Sequence, residues 1–250
     1  METTTDKVKA QRPVSATATT PPRVTLAAAT WAVFRKDLRS ELRTRYALNA
    51  VVLFAASTVV AISLGLGPLL LSRNADLKLI QAALFWIALL FAAFTGLART
   101  FVQEEETRTA AALRLAAPPN AVYLGKLLFN LALLLMLGLL TSVLFIVLLR
   151  VEIENPGLFT AMVLAGSCGL VAATTLIAAI IAQANAKGAL FAVLSFPILV
   201  PLLFVGIQGT ALALEGAVWS DGLAALQVLV GYTVTVFVVS LFLFKVVWEA

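Results

Sequence analysis

The sequence has no histidine, a single cysteine (Cys168), three methionines and charged side chains at only 12% of its 250 positions. Metal and heme sites draw chiefly on His, Cys and Met, so no intrinsic ligated cofactor or metal is expected. One thiol cannot form a disulfide within the chain, and no Cys-x-x-Cys-His heme-attachment pattern occurs. A nucleotide-binding phosphate loop is also missing: the Gly-Lys pair at Gly125-Lys126 is followed by Leu127 rather than Ser or Thr. The chain is therefore expected to hydrolyse no ATP, and no catalytic residue is assigned. Its longest apolar runs carry no Asp, Glu, Lys or Arg, which leaves proton- or sodium-coupled transport without the intramembrane ionisable group it uses.

What the chain has in excess is apolar surface. Apolar residues make up 61% of the sequence and the mean hydropathy is +1.00, against roughly 45–50% apolar residues in a soluble domain. A helix needs about 20 apolar residues to cross a bilayer, and six stretches qualify: 47–71, 79–98, 127–149, 158–182, 189–214 and 223–244. The run from Leu131 to Leu140 holds no polar residue, whereas barrel strands alternate apolar and polar. The expected fold class is an all-α polytopic membrane protein with six transmembrane helices.

Orientation follows from the basic residues. With a cytoplasmic N-terminus, fifteen of the eighteen Lys and Arg fall on the inner side and only Arg73, Lys78 and Arg150 on the outer side, which satisfies the positive-inside rule. Both termini are expected in the cytoplasm. Residues 1–30, rich in Thr and Pro, read as a disordered cytoplasmic tail. The apolar run at Leu26–Ala29 is too short for the core of a cleaved signal peptide.

Two segments outside the spans have helical character. In 31–46, Trp31, Phe34, Leu38, Leu42 and Tyr46 recur at three and four residues among Arg and Lys, which predicts an amphipathic helix at the membrane interface, its aromatics dipped and its cations reaching anionic phospholipid. The loop between the second and third spans places Glu104, Glu105 and Glu106 ahead of an Ala-Leu run with Arg114 near its end, the charge order that suits a helix dipole. Pro118-Pro119 would stop that helix, so a short helix within 103–117 is expected beneath the membrane. In the fifth span Pro197 and Pro201 mark a kink or break, a shape determinant or gate. Asn130, Thr141, Ser142, Thr174, Thr175, Gln208 and Gln227 are expected to bond neighbouring helices, and Cys168 to pack as a small residue.

The segments "FRKDLRSELRTR", "EEETRTAAALRLAAPPNAVYLGKL" and "AKGALFAVLSFPILVPLL" resemble, in that order, the CcmB family, the permease component of the cytochrome c maturation heme exporter. The resemblance runs from about Phe34 to the end. It implies a six-span ABC-2-type permease domain over 31–250, with an elbow helix at 31–46 and a coupling helix at 103–117 that seats on a separate ABC ATPase. Glu104, Glu105, Glu106, Arg108 and Arg114 would be the ATPase contacts. Further implied partners are a heme-handling membrane subunit, a small adaptor subunit and a heme chaperone, with heme and ATP bound by those partners, a possible homodimer and a bacterial inner-membrane location. A permease for another cargo (lipid, glycan or drug) and a non-transporting scaffold for cytochrome assembly are the alternative readings.

Overall fold

Each of the six apolar runs becomes a helix of membrane-crossing length in the computed structural model, which describes residues 25–66, 75–97, 101, 104, 110–182 and 187–249. The elements are α1 (Leu26–Thr44), α2 (Tyr46–Leu66), α3 (Ala75–Leu97), α4 (Ala110–Ala116), α5 (Pro119–Leu148), α6 (Pro156–Ala182), α7 (Lys187–Leu214) and α8 (Trp219–Glu249). Helices α2, α3 and α5 to α8 are the six spans, and no strand occurs among the described residues. The expected tail lies outside the described residues up to position 24.

Local chemistry sets the helix ends. The Thr25 hydroxyl accepts a hydrogen bond from the Ala28 amide at 3.3 Å, an N-cap that starts α1 at Leu26, ahead of the expected Trp31. Arg45 adopts a left-handed conformation with φ 52° and donates its amide to the Glu41 carbonyl at 2.7 Å, which closes α1. Helix α2 begins at the next residue, and the Glu41 carboxylate accepts the Leu48 amide of its first turn at 2.7 Å. Helix α5 starts at Pro119, where a proline loses nothing because a first-turn amide has no helical partner. The third span thus begins ahead of the expected residue 127 and takes in Lys126, which the sequence alone placed in a loop. Helix α7 runs unbroken through Pro197 and Pro201, both on its exposed side, and the Tyr232 hydroxyl of α8 donates to the Ile198 carbonyl between them at 2.7 Å.

Helix α6 is the centre of the bundle and packs on α3, α5, α7 and α8. Its middle, with Gly166, Ser167, Gly169, Ala172 and Ala173 all buried, is made of small residues that let neighbouring backbones approach closely. A Cβ added at Gly166 would lie 2.2 Å from Cη2 of the buried Trp86, and one at Gly206 of α7 would lie 3.1 Å from Cε2 of the same ring. The Trp86 indole of α3 is clamped between two glycines, and its Nε1 donates to Thr210 Oγ1 at 2.9 Å.

The expected polar bonds between spans divide. Asn130 donates to Thr175 across α5 and α6 at 2.9 Å. Thr174 and Ser142 return their hydroxyls to carbonyls of their own helices, at Leu170 and Gly138, while Gln208 and Gln227 lie exposed on the outside of the bundle.

Helix α1 docks against α5 rather than lying wholly on a membrane surface. A Cβ at Gly125 would lie 2.6 Å from Val33 Cβ and 2.9 Å from the Thr30 carbonyl oxygen, so glycine is what permits the crossing. Ala29, Thr30 and Val33 are buried there and Phe34 and Leu38 half-buried, whereas Trp31 and Leu42 stay exposed. The expected single apolar stripe is therefore split, and Tyr46 belongs to α2. At the opposite end of the bundle, Lys78 donates to Glu154 at 2.8 Å and to the Leu214 carbonyl.

Candidate functional site

Helices α1 and α4, the start of α5 and the end of α8 meet at one end of the bundle over a second apolar core. Phe101, Tyr123, Phe244 and Trp248 are buried in it, with the Phe101 and Phe244 ring centroids 5.6 Å apart and those of Tyr123 and Phe244 5.1 Å apart. A four-residue charge cluster sits on this aromatic floor. The Lys126 side chain is 1% exposed, and its Nζ lies 3.2 Å from Glu104 Oε1, 3.3 Å from Asp37 Oδ2 and 5.0 Å from the centre of the Phe101 ring. Lys36 pairs with the same Glu104 oxygen and, at 3.0 Å, with Asp37 Oδ1.

Two cations and two carboxylates in mutual contact are the arrangement that makes burial of charge tolerable, because each ion replaces its lost water with an opposite charge. Burial pulls the Lys36 pKa down, but the hydrogen bond to Glu104 and the neighbouring Asp37 outweigh it and hold the ammonium above its usual value. Lys36 therefore stays charged across the physiological range. The cluster ties three separate pieces of chain together: α1 through Lys36 and Asp37, the loop after α3 through Glu104, and the third span through Lys126.

Helix α4 lies beside this latch. Leu113 is buried in the aromatic core and the Arg114 guanidinium lies 5.2 Å from the centre of the Trp248 ring. On the other side of the helix Leu115 is 92% exposed.

Of the residues expected to touch an ATPase, Glu104 and Arg114 thus make contacts within the chain. Glu105, Glu106 and Arg108 lie outside the described residues. Pro197 and Pro201 are far along the chain from this cluster, on α7. Sequence reasoning missed Lys126, Asp37 and Leu115. Only Leu115 had a usable signal: in a helix through 110–116 it falls about 200° around from Leu113, so the two leucines cannot share a face. Among the described residues no group of His, Cys, Asp and Glu could hold a metal ion.

Six helices long and apolar enough to cross a membrane, with α1 latched to the third of them and a short loop helix at the same end, define a multi-pass membrane protein. Residues 28–247 match the family described as CcmB protein, and the chain belongs to that family. It is thereby a membrane component of the ABC heme-export system of cytochrome c maturation, a multi-subunit assembly with an ATPase partner. No curated protein matches the chain.

Proposed function

We propose that this chain couples ATP hydrolysis on a separate ATPase subunit to heme export, or to delivery and release of a heme chaperone, across a bacterial inner membrane. The observation that carries the reading is α4: a helix pinned to the bundle by Leu113 and Arg114 presents Leu115, 92% exposed, beyond the ends of the spans. An exposed leucine on such a support is apolar area that a partner can remove from water. In this reading Leu115, Arg114, Glu105, Glu106 and Arg108 form the ATPase contact, and Glu104 transmits the displacement of the loop to α1 and α5. Residues 31–250 act as one permease domain, with Pro197 and Pro201 shaping α7. The donor set lacks His, and Cys168 lies within α6, so heme is handled by partner subunits and passes to or from them.

The test separates attachment from transmission. Leu115→Asp in the tagged chain should reduce ATPase recovered on mild-detergent purification by about tenfold or more, on the order of the loss of one buried leucine side chain. Glu104→Gln should retain the ATPase yet lower cytochrome c maturation. Full recovery of the ATPase with Leu115→Asp would overturn the assignment of α4.

A further inference from the structure

Helix α1 sorts its charges by sign. Its acidic side chains turn to the protein: Asp37 to Lys126 and Glu41 to the Leu48 amide. Its arginines turn away. Arg35, Lys36, Arg39 and Arg43 share one open side of the helix with Trp31. Ala28 and Ala32 lie on the same side. Lys36 is occupied by Asp37 and Glu104, whereas Arg35, Arg39 and Arg43 make no ion pair with the described residues. Three guanidiniums therefore face outward, spaced at i, i+4 and i+8 on a face that carries no carboxylate of their own helix.

The position of α1 says what comes to that face. Only Arg45 separates α1 from α2, a helix long and apolar enough to cross a membrane whose Leu53 and Leu64 are exposed on the outside of the bundle, so α1 is held next to the start of that span. Exposed apolar side chains, Leu26, Trp31 and Leu42, are interleaved with the arginines. Trp31 is 59% exposed, and an interfacial tryptophan beside guanidiniums suits the boundary between acyl chains and phosphates. We infer that the outer face of α1 is a binding site for the phosphate headgroups of anionic phospholipid, with Arg35, Arg39 and Arg43 as the phosphate ligands and Trp31 as the depth anchor. This site depends on neither the ATPase nor heme, so its failure and that of the function proposed above can be told apart.

The experiment uses the full chain in nanodiscs of phosphatidylcholine containing a fixed fraction of brominated lipid. Bromine quenches tryptophan at short range, and Trp31→Phe isolates the Trp31 signal from Trp86, Trp219 and Trp248. Brominated phosphatidylglycerol should quench Trp31 more than the same fraction of brominated phosphatidylcholine. High salt should abolish the difference, since headgroup attraction is screened within about a Debye length. Each arginine near an anionic surface contributes roughly fivefold, so a triple change of Arg35, Arg39 and Arg43 to Gln should cut the phosphatidylglycerol preference by tenfold or more. Equal quenching by both lipids, or a preference that survives in the triple variant, would overturn the site. So would displacement of the brominated phosphatidylglycerol by an acidic peptide at equal charge, which would make the face a protein-docking surface. If the triple variant does not fold, the salt dependence of the parent chain and native mass spectrometry of retained phosphatidylglycerol against phosphatidylcholine decide the question.

Discussion

Lys126 shows how one residue's meaning changes with its surroundings. In the sequence it stands between Gly125 and an apolar run and reads as a charge that marks a membrane boundary. In the fold it is buried, and its two carboxylate partners come from segments 89 and 22 residues away, Asp37 and Glu104. No local pattern signals those pairings, so this part of the site could not be read before the structure. Removing one partner of a buried ion cluster strands the others, at a cost of about 3–5 kcal/mol for an isolated pair. Lys36 continues to balance both carboxylates here, so Lys126→Met is expected to destabilise the protein by roughly 2–3 kcal/mol. Adding Glu104→Met to that variant should recover part of the loss. Thermal unfolding in detergent measures both, and an unchanged midpoint in Lys126→Met would show that the cluster contributes nothing to stability.

At the scale of elements, all six spans were legible because bilayer thickness imposes a length that composition reveals directly. Their ends were less so: α5 begins at Pro119 because a proline pair that stops one helix also starts the next, and apolar counting does not see that second role. Contacts between spans were legible only in kind. The small residues of α6 announce close packing, but which ring fills the space beside Gly166 is set by where α3 lies. That contact has a measurable consequence. Gly166→Ala would put a methyl 2.2 Å from the Trp86 ring, forcing α3 and α6 apart, whereas Gly138→Ala meets nothing closer than Val163 Cγ1 at 3.7 Å. The first should cost about 1–3 kcal/mol by overpacking and the second close to nothing, read as melting temperatures. Equal melting of the two variants would mean that the indole clamp is loose.

For the whole molecule, the distribution of basic residues carries the orientation. Fifteen of eighteen Lys and Arg fall in the segments that the sequence assigns to the side of the termini, and an even number of spans would return both ends to that side. A green fluorescent protein fused after Ala250 should therefore fluoresce, and alkaline phosphatase fused at the same point should be inactive; the reverse pair of results would invert the molecule. The class of protein was legible from composition and from three segments, and the family match over residues 28–247 agrees with it. What composition could not show is how the pieces at the terminal end are geared to one another. The corner at Arg45 is one residue long, and the Glu41 carboxylate braces it by gripping the Leu48 amide. Helices α1 and α2 therefore form the two arms of a crank, with the loop attached to one arm at Lys36 and the membrane attached to the other. A pull on Glu104 would bear on the third span directly through Lys126 and on the first only through Lys36, α1 and that corner, so the third span would feel it as a displacement and the first as a rotation.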